Sequence, residues 1–422
     1  MISAIAKKGK AIEPEEVGSI VREACPAAWY EGKRTLVIVP DGTRTAPVGC
    51  VFRPLHNHLA GVVTRFDVLV ALGTHQPMSE TAICERLGIT AAERQHEYAN
   101  VQFYNHAWND TSALVTIGTI GARDVRALTD GRFEMEVPIE INRRLLEYDR
   151  LIIIGPVFPH EVVGFSGGNK YFFPGVAGPQ ILNFFHWLGA VITTPKIIGR
   201  KWTPVRRVVD KAVSLIRVPK ACFCLVVEGE ELAGLFAGTP EEAWDPASDL
   251  SNQLHVIYHD RPYSTILACA PKMYDEIWTA GKCMYKLEPV LADGGELTIY
   301  APHITEFSAT HGKVIEEVGY HCRDYFLGQW DKFKGYPWGV LAHSTHVFGL
   351  GTYVEGRETP RARVVLATGI SERRCRAVNL GYRDPTSIRP EEFAGREAEG
   401  VLLVPKAGET LHRLRNPPEW AM

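Results

Sequence analysis

Residues 151–170 read LIIIGPVFPHEVVGFSGGNK. LIIIG has no polar alternation, the pattern of a strand covered on both faces, as in buried parallel sheets. It gives way at once to prolines, a histidine, a Gly-Gly pair and a lysine. The same change of character recurs along the chain. LVIV (36–39) runs into PDGTR, VLVAL (68–72) into GTHQPMSE, TILACA (265–270) into PKMYDE and LTIYA (297–301) into PHITE. Ligands of open α/β sheets gather at the carboxyl ends of strands. Turn chemistry explains the glycines and prolines there, but less well so many histidines.

Helix-length segments at 140–148, 179–190, 205–216 and 281–293 separate many of these runs. The alternation predicts an α/β protein: two α/β domains with largely parallel sheets, enclosing an interdomain active-site cleft. The boundary is expected near HVIYHDRPYS, giving an N-terminal domain over 1–262 and a C-terminal domain over 263–394. The last segment, 395–422, carries one more apolar run, VLLV, and is expected to pack back on the first domain.

The chain has 422 residues, 45% hydrophobic and 23% charged, with a net charge of -3. This balance is that of an ordinary globular protein, and gives no reason to expect nucleic acid or an anionic membrane as partner. The start, MISAIAKKGKAIEPEEV, lacks the apolar core of a signal peptide, and no apolar run approaches the ~20 residues of a membrane span. Nine scattered cysteines suit a reducing cytoplasm, and Cys222-x-Cys224 lies in an apolar run that suits a buried strand.

His160, Lys170 and His186 carry the sharpest chemical signal. A lysine in a Gly167-Gly168-Asn169-Lys170 loop can anchor a ligand that the backbone approaches closely. His160 can carry a proton, and His186, on the helix that follows, can ligate a metal. The plain readings are a turn with a surface lysine, a structural histidine, and a core histidine within QILNFFHWLGAV. After LVIV, Arg44 can clamp a carboxylate or phosphate and Asp41 can hold ribose hydroxyls. An Asp-Gly turn is the plain alternative. GTHQPMSE leads towards a helix whose amides could bind phosphate, but Ser79 also suits a simple N-cap with Glu80 in the first turn. His106, in YNHAWND, has Asp110 four residues on, able to orient the ring if the stretch is helical. Lys282, in YDEIWTAGKCMYK, is a substrate lysine or a surface one.

Together, DGTR, GTHQPMSE, the His106 segment, PHEVVGFSGGNKYFFPG, His186 and the 275–282 element resemble the nickel-pincer nucleotide-dependent lactate racemase family. The motifs run from about 40 to 300, and the domain pattern extends over nearly the whole chain. The resemblance implies that Lys170 binds a nickel-pincer nucleotide (a pyridinium-3,5-bisthiocarboxylic acid mononucleotide holding nickel) covalently, and that His186 completes the coordination. It implies His106 and His160 as paired acid/base residues, and Arg44 and Lys282 on the substrate carboxylate. Asp41, Thr43, Gly167 and Gly168 would approach the cofactor. Trp278 and Thr279 stand where the lactate enzymes carry Tyr and Gln, and Asn169 where they carry Arg. The first two would line the substrate, which implies a 2-hydroxy acid other than lactate, larger or more polar, such as a sugar acid. Cofactor-building proteins are the implied partners.

The chemistry explains the equipment. Inverting a 2-hydroxy acid breaks an unactivated Cα–H bond. General acid/base catalysis supplies about 10²–10⁴-fold, roughly 3–5.5 kcal/mol against the ~8–23 kcal/mol enzymes commonly provide. A hydride acceptor fills that gap, and two histidines suit a two-faced reaction. Two other classes compete. A metal-dependent hydrolase lacks any close zinc-type spacing and leaves Lys170 without a role. A non-catalytic nucleotide or sugar-acid binding protein would use Lys170 only as a phosphate partner.

Overall fold

The computed structural model describes all 422 residues. The chain divides into two compact units. Met1–Phe158, Phe165–Leu182 and Pro204–Leu254 form the first; Pro159–Gly164, Asn183–Thr203 and His255–Met422 form the second.

The first unit is built on seven strands: β1 (Ile2–Ile5), β2 (Arg34–Pro40), β3 (Arg65–Ala71), β4 (Phe103–Asn105), β5 (Arg150–Pro156), β6 (Lys220–Glu228) and β7 (Glu231–Gly238). Their order across the sheet is β1-β7-β6-β5-β2-β3-β4. From β6 to β4 all neighbours are parallel; β7 and β1 add an antiparallel edge. The chain therefore builds outward from β2 through β3 and β4, then returns to the other side of β2 with β5 and β6. That reversal opens a crevice at the carboxyl ends of β2 and β5, the ligand position of doubly wound sheets. Leu36 to Val39 and Ile152 to Ile154 are wholly buried, as their unbroken apolar runs require. Val37, Val39, Ile152 and Ile154 share one core with Val51, Phe52 and Leu55 of the helix Val48–Leu59. Each such side chain contributes about 1.5–3 kcal/mol by leaving water.

Four helices matter for the site: α1 (Glu80–Leu87), α2 (Pro179–Ile192), α3 (Pro204–Val213) and α4 (Pro240–His255). α2 and α3 fall where helices were expected. The 140–148 segment is instead the end of a strand, Val137–Asn142, followed by a 3-10 turn; that strand pairs antiparallel with Leu114–Ile120 in a separate two-stranded sheet.

In the second unit, β9 (Tyr263–Cys269), β10 (Leu291–Ala301), β11 (Arg363–Thr368), β12 (Gly381–Tyr382) and β13 (Val401–Val404) form an all-parallel sheet in the order β12-β11-β10-β9-β13. A smaller parallel pair joins β8 (Val256–His259) to β14 (Leu411–Leu414). Helices α5 (Lys282–Tyr285) and α6 (Trp338–Phe348) pack here. The 281–293 segment is helical only in part: a short α-helix over Lys282–Tyr285 and a 3-10 turn over Glu288–Val290 precede β10, which begins at Leu291.

The expected class, α/β with largely parallel sheets, holds in both units. The two units differ from the expected domains. Pro159–Gly164 and Asn183–Thr203, with His160 and His186, belong to the second unit, which takes over for good at His255 rather than 263, and 395–422 does not complete the first domain. VLLV pairs with Thr265–Ala268 of β9, where it covers an otherwise open strand edge. No helix is long and apolar enough to cross a membrane.

Candidate active site

In the first unit, β2 delivers Pro40 and Asp41 to the crevice. Asp41 folds back on its own loop: Oδ1 accepts the Thr43 amide at 3.0 Å and the Thr43 hydroxyl at 2.7 Å. Its other oxygen, Oδ2, lies 2.5 Å from Nδ1 of His75. Burial alone would raise the Asp41 carboxyl, but the His75 ring and the Thr43 donors outweigh it and hold it well below the usual range. Asp41 and Thr43, expected beside a nucleotide, are thus engaged with each other and with His75. Arg44 sits with its guanidinium 6.0 Å from the centroid of Phe158, so the ends of β2 and β5 meet here.

His75 was not singled out by the sequence reading. It stands four residues after β3 in the GTHQPMSE loop, partly exposed. An acidic oxygen at Nδ1 fixes the N–H there and leaves Nε2 with the lone pair, the arrangement of a histidine poised as a base. The signal was present: a histidine directly after a parallel strand, 31 residues beyond Arg44. Ser79 competed for attention, and it does cap α1, accepting the Ala82 amide at 3.2 Å.

His106 follows β4 and is 2% exposed. Its Nε2 lies 2.9 Å from the Ala177 carbonyl and its Nδ1 3.1 Å from Nδ2 of Asn142. A carbonyl only accepts and the amide nitrogen only donates, so Nε2 holds the proton and Nδ1 the lone pair. Both nitrogens are committed, and burial pushes the ring down to about 4 against the Ala177 bond. An acid/base role there would break one of these bonds. Asp110 does not orient it: the stretch is strand and turn rather than helix, and Asp110 accepts the Ser112 amide and hydroxyl instead.

The lysine loop is clamped from several sides. Gly167 and Gly168 have φ of 85° and 55°. A Cβ on Gly168 would strike Trp244, and one on Gly167 would strike Val157. Trp244 donates from Nε1 to the Ser166 carbonyl at 2.9 Å, and Arg206 donates to the Phe165 carbonyl at 2.5 Å. Asn169 donates to Asp210 of α3 at 2.9 Å and to Glu241 of α4 at 2.7 Å. The buried Arg206 guanidinium, 4.0 Å above the Trp244 ring, faces the same two carboxylates. Lys170 follows in the same 3-10 turn and is half-buried. The next residue, Tyr171, lays its hydroxyl where a side chain on Gly155 of β5 would stand.

In the second unit, His160 is 6% exposed. Its Nδ1 accepts the Val162 amide at 3.1 Å, with Oε2 of Glu161 3.4 Å away. These two contacts suit different ring states. The amide serves the neutral ring with Nδ1 unprotonated; the carboxylate serves the protonated ring, whose Nδ1–H needs an acceptor. His186, on α2, stacks on Phe185 with centroids 4.7 Å apart. Trp278 lies against two imidazoles, His311 at 4.4 Å and His343 at 4.3 Å. Burial, then His346, His311 and His186, holds His343 well below the ordinary imidazole range, so it is neutral. Thr279 is buried and donates to the Glu276 carbonyl at 3.0 Å. Lys282 is not the surface residue its sequence suggested: it is buried at the start of α5, with Nζ 4.7 Å from the Tyr274 ring centroid.

Asp41, Thr43, Arg44, His75, His106, Gly167, Gly168 and Lys170 therefore belong to the first unit, and His160, His186, Trp278, Thr279 and Lys282 to the second. Nowhere do three or more His, Cys, Asp or Glu side chains converge as a metal cage.

Comparison with known proteins gives these residues a context. The lactate racemase N-terminal domain matches residues 19–197. A lactate racemase of Lactiplantibacillus plantarum is 28% identical over 230 residues, 53% of this chain and 49% of that one. The lactate racemase of Thermoanaerobacterium thermosaccharolyticum is 23% identical over 277 residues, 64% and 60% of the two chains. The matches thus span about half to three-fifths of those relatives. Among solved structures, a Thermotoga maritima protein is 35% identical with a TM-score of 0.89, over 97% of this chain and 100% of its own. The lactate racemase apoprotein of T. thermosaccharolyticum shares the fold at a TM-score of 0.69 and 18% identity, over 94% of this chain and 93% of that one.

Proposed function

We propose that the chain is a homologue of the lactate racemase family and that it racemises or epimerises a 2-hydroxy acid at C2. One observation carries the reading: two imidazoles, His75 and His160, each have a carboxylate at Nδ1, Asp41 for one and Glu161 for the other. A reaction that must serve both faces of one carbon needs two such groups. His106, with both nitrogens committed, is replaced by His75 in this pair.

The residues present fit a lysine-tethered nickel-pincer nucleotide. Lys170, in its glycine loop, would hold it covalently, and His186 would be a protein donor to nickel. When bound, the group would supply an acceptor for the Cα hydride. The chain's own residues do the rest. Nε2 of His75 takes the hydroxyl proton from one enantiomer, and the imidazolium that forms is stabilised by Asp41. His160 serves the other hand from its protonated state: with Nδ1–H turned to Glu161, Nε2–H gives its proton to the substrate oxygen when that hand is formed and retakes the hydroxyl proton in the reverse direction. Arg44 and Lys282 bind the carboxylate. Trp278, Thr279 and the neutral His343 line the remainder of the substrate with hydrogen-bonding groups that carry no charge. They favour a hydroxylated chain, such as a sugar acid, over lactate.

The test is co-expression with cofactor-building enzymes, then mass measurement of Lys170, nickel content and a panel of chiral 2-hydroxy acids. The expected result is an adduct on Lys170 and interconversion of the two C2 configurations, lost in Lys170→Ala without unfolding. An active, unmodified Lys170→Ala would refute the tethered-cofactor mechanism.

A further inference from the structure

Lys286 is a lysine with no exposed surface at all. It lies four residues after Lys282, at the end of α5. Burying an ammonium costs several kcal/mol, and an apolar side chain of similar volume often serves stability as well or better. What the ammonium does here is specific. Nζ donates to the carbonyl of Pro159 at 2.5 Å and to the carbonyl of Glu409 at 3.0 Å. The backbone of Lys286 is fixed in turn, its carbonyl accepting the His412 amide at 2.9 Å. Pro159 immediately precedes His160. Holding its carbonyl sets the peptide plane from which the His160 ring projects, and with it the contact between Nδ1 and the Val162 amide.

We infer that Lys286 is the positioning residue of His160, tying the segment that carries this imidazole to α5 and to the 409–412 stretch. The inference rests on His160 being one of the acid/base pair. It adds to that reading a distant charge that touches no substrate. A displacement of about 1 Å in a reacting group can lower turnover on the order of 10²-fold. Because His160 serves one face, the loss should fall on one enantiomer.

The experiment uses holoenzyme carrying Lys286→Met, with His160→Gln beside it, and the imidazole nitrogen spectrum of the apoproteins. Wild type should show one His160 tautomer, with Nδ1 unprotonated. In Lys286→Met that signature should broaden or mix. Single-turnover oxidation should slow about tenfold or more for the enantiomer that His160→Gln affects, with KM nearly unchanged and the other enantiomer spared. Equal slowing of both enantiomers, or an unchanged spectrum and kcat, would overturn the inference while leaving the acid/base assignment standing. A fully active His160→Gln would overturn both. Should Lys286→Met not fold, Lys286→Arg, which keeps charge and donors but moves them, is measured the same way. A one-enantiomer deficit supports the positioning role, and an equal deficit or none overturns it.

Discussion

β3 and β4 lie side by side in one sheet, and each is followed by a histidine. The two histidines have opposite fates. His75 is left partly exposed with one carboxylate at Nδ1; His106 is sealed between an amide and a carbonyl. Position at the carboxyl end of a parallel strand is therefore not enough to leave an imidazole with a ring nitrogen uncommitted to the fold. What separates them is the number of ring nitrogens left for a ligand, and that depends on residues far away in sequence, Asn142 and Ala177 for one ring and Asp41 for the other.

The largest expected effect tests the working side. His75→Gln should lower kcat by about 10²–10⁴-fold, the range of a lost general acid or base, with little change in thermal midpoint. If His106→Gln gave that loss and His75→Gln did not, the comparison would be inverted.

The next effect lies on the sealed side and is read by pH. His106 is held at about 4 in the folded chain, against an ordinary 6.5. The unfolded chain therefore binds more protons between these values. The stability this neutral ring provides is complete above about pH 6.5 and is lost as pH falls towards 4. The difference corresponds to about 3 kcal/mol. Denaturant unfolding of wild type and His106→Gln should show a gap that narrows as pH is lowered through that window. A gap independent of pH would mean the ring is not held neutral by the fold.

The smallest effect sharpens the account. Asn142→Ala removes the donor to Nδ1 of His106 and should cost about 1–2 kcal/mol of stability. It should leave kcat of the folded enzyme within about twofold if His75, and not the ring Asn142 supports, transfers the proton. A kcat loss without a stability loss would return His106 to the reaction.

These residues also mark what the sequence could convey. Strands β2 and β5 were legible because Leu36–Val39 and Ile152–Ile154 are apolar without interruption, and only burial on both faces explains that. The lysine loop was legible from its glycines, although their direct reason is the approach of Trp244 and Val157. His75 was hidden by its setting, since GTHQPMSE also ends in a sound N-cap at Ser79. The roles of Lys286 and Glu161 were illegible in principle: each depends on a contact or orientation that no spacing encodes. The placement of 395–422 failed for a related reason. A four-residue apolar strand fits any free edge, and the edge it takes, that of β9, is chosen by the whole sheet.

The seat of Tyr171 on Gly155 has a consequence for descent. The phenol occupies the volume in which any side chain at 155 would begin, so neither position can change freely without the other. Lineages that keep an aromatic at 171 should keep glycine at 155. A lineage that acquires a side chain at 155 should first have traded the aromatic for something small. The two positions should therefore drift as a linked pair among relatives, although 15 residues lie between them in the chain.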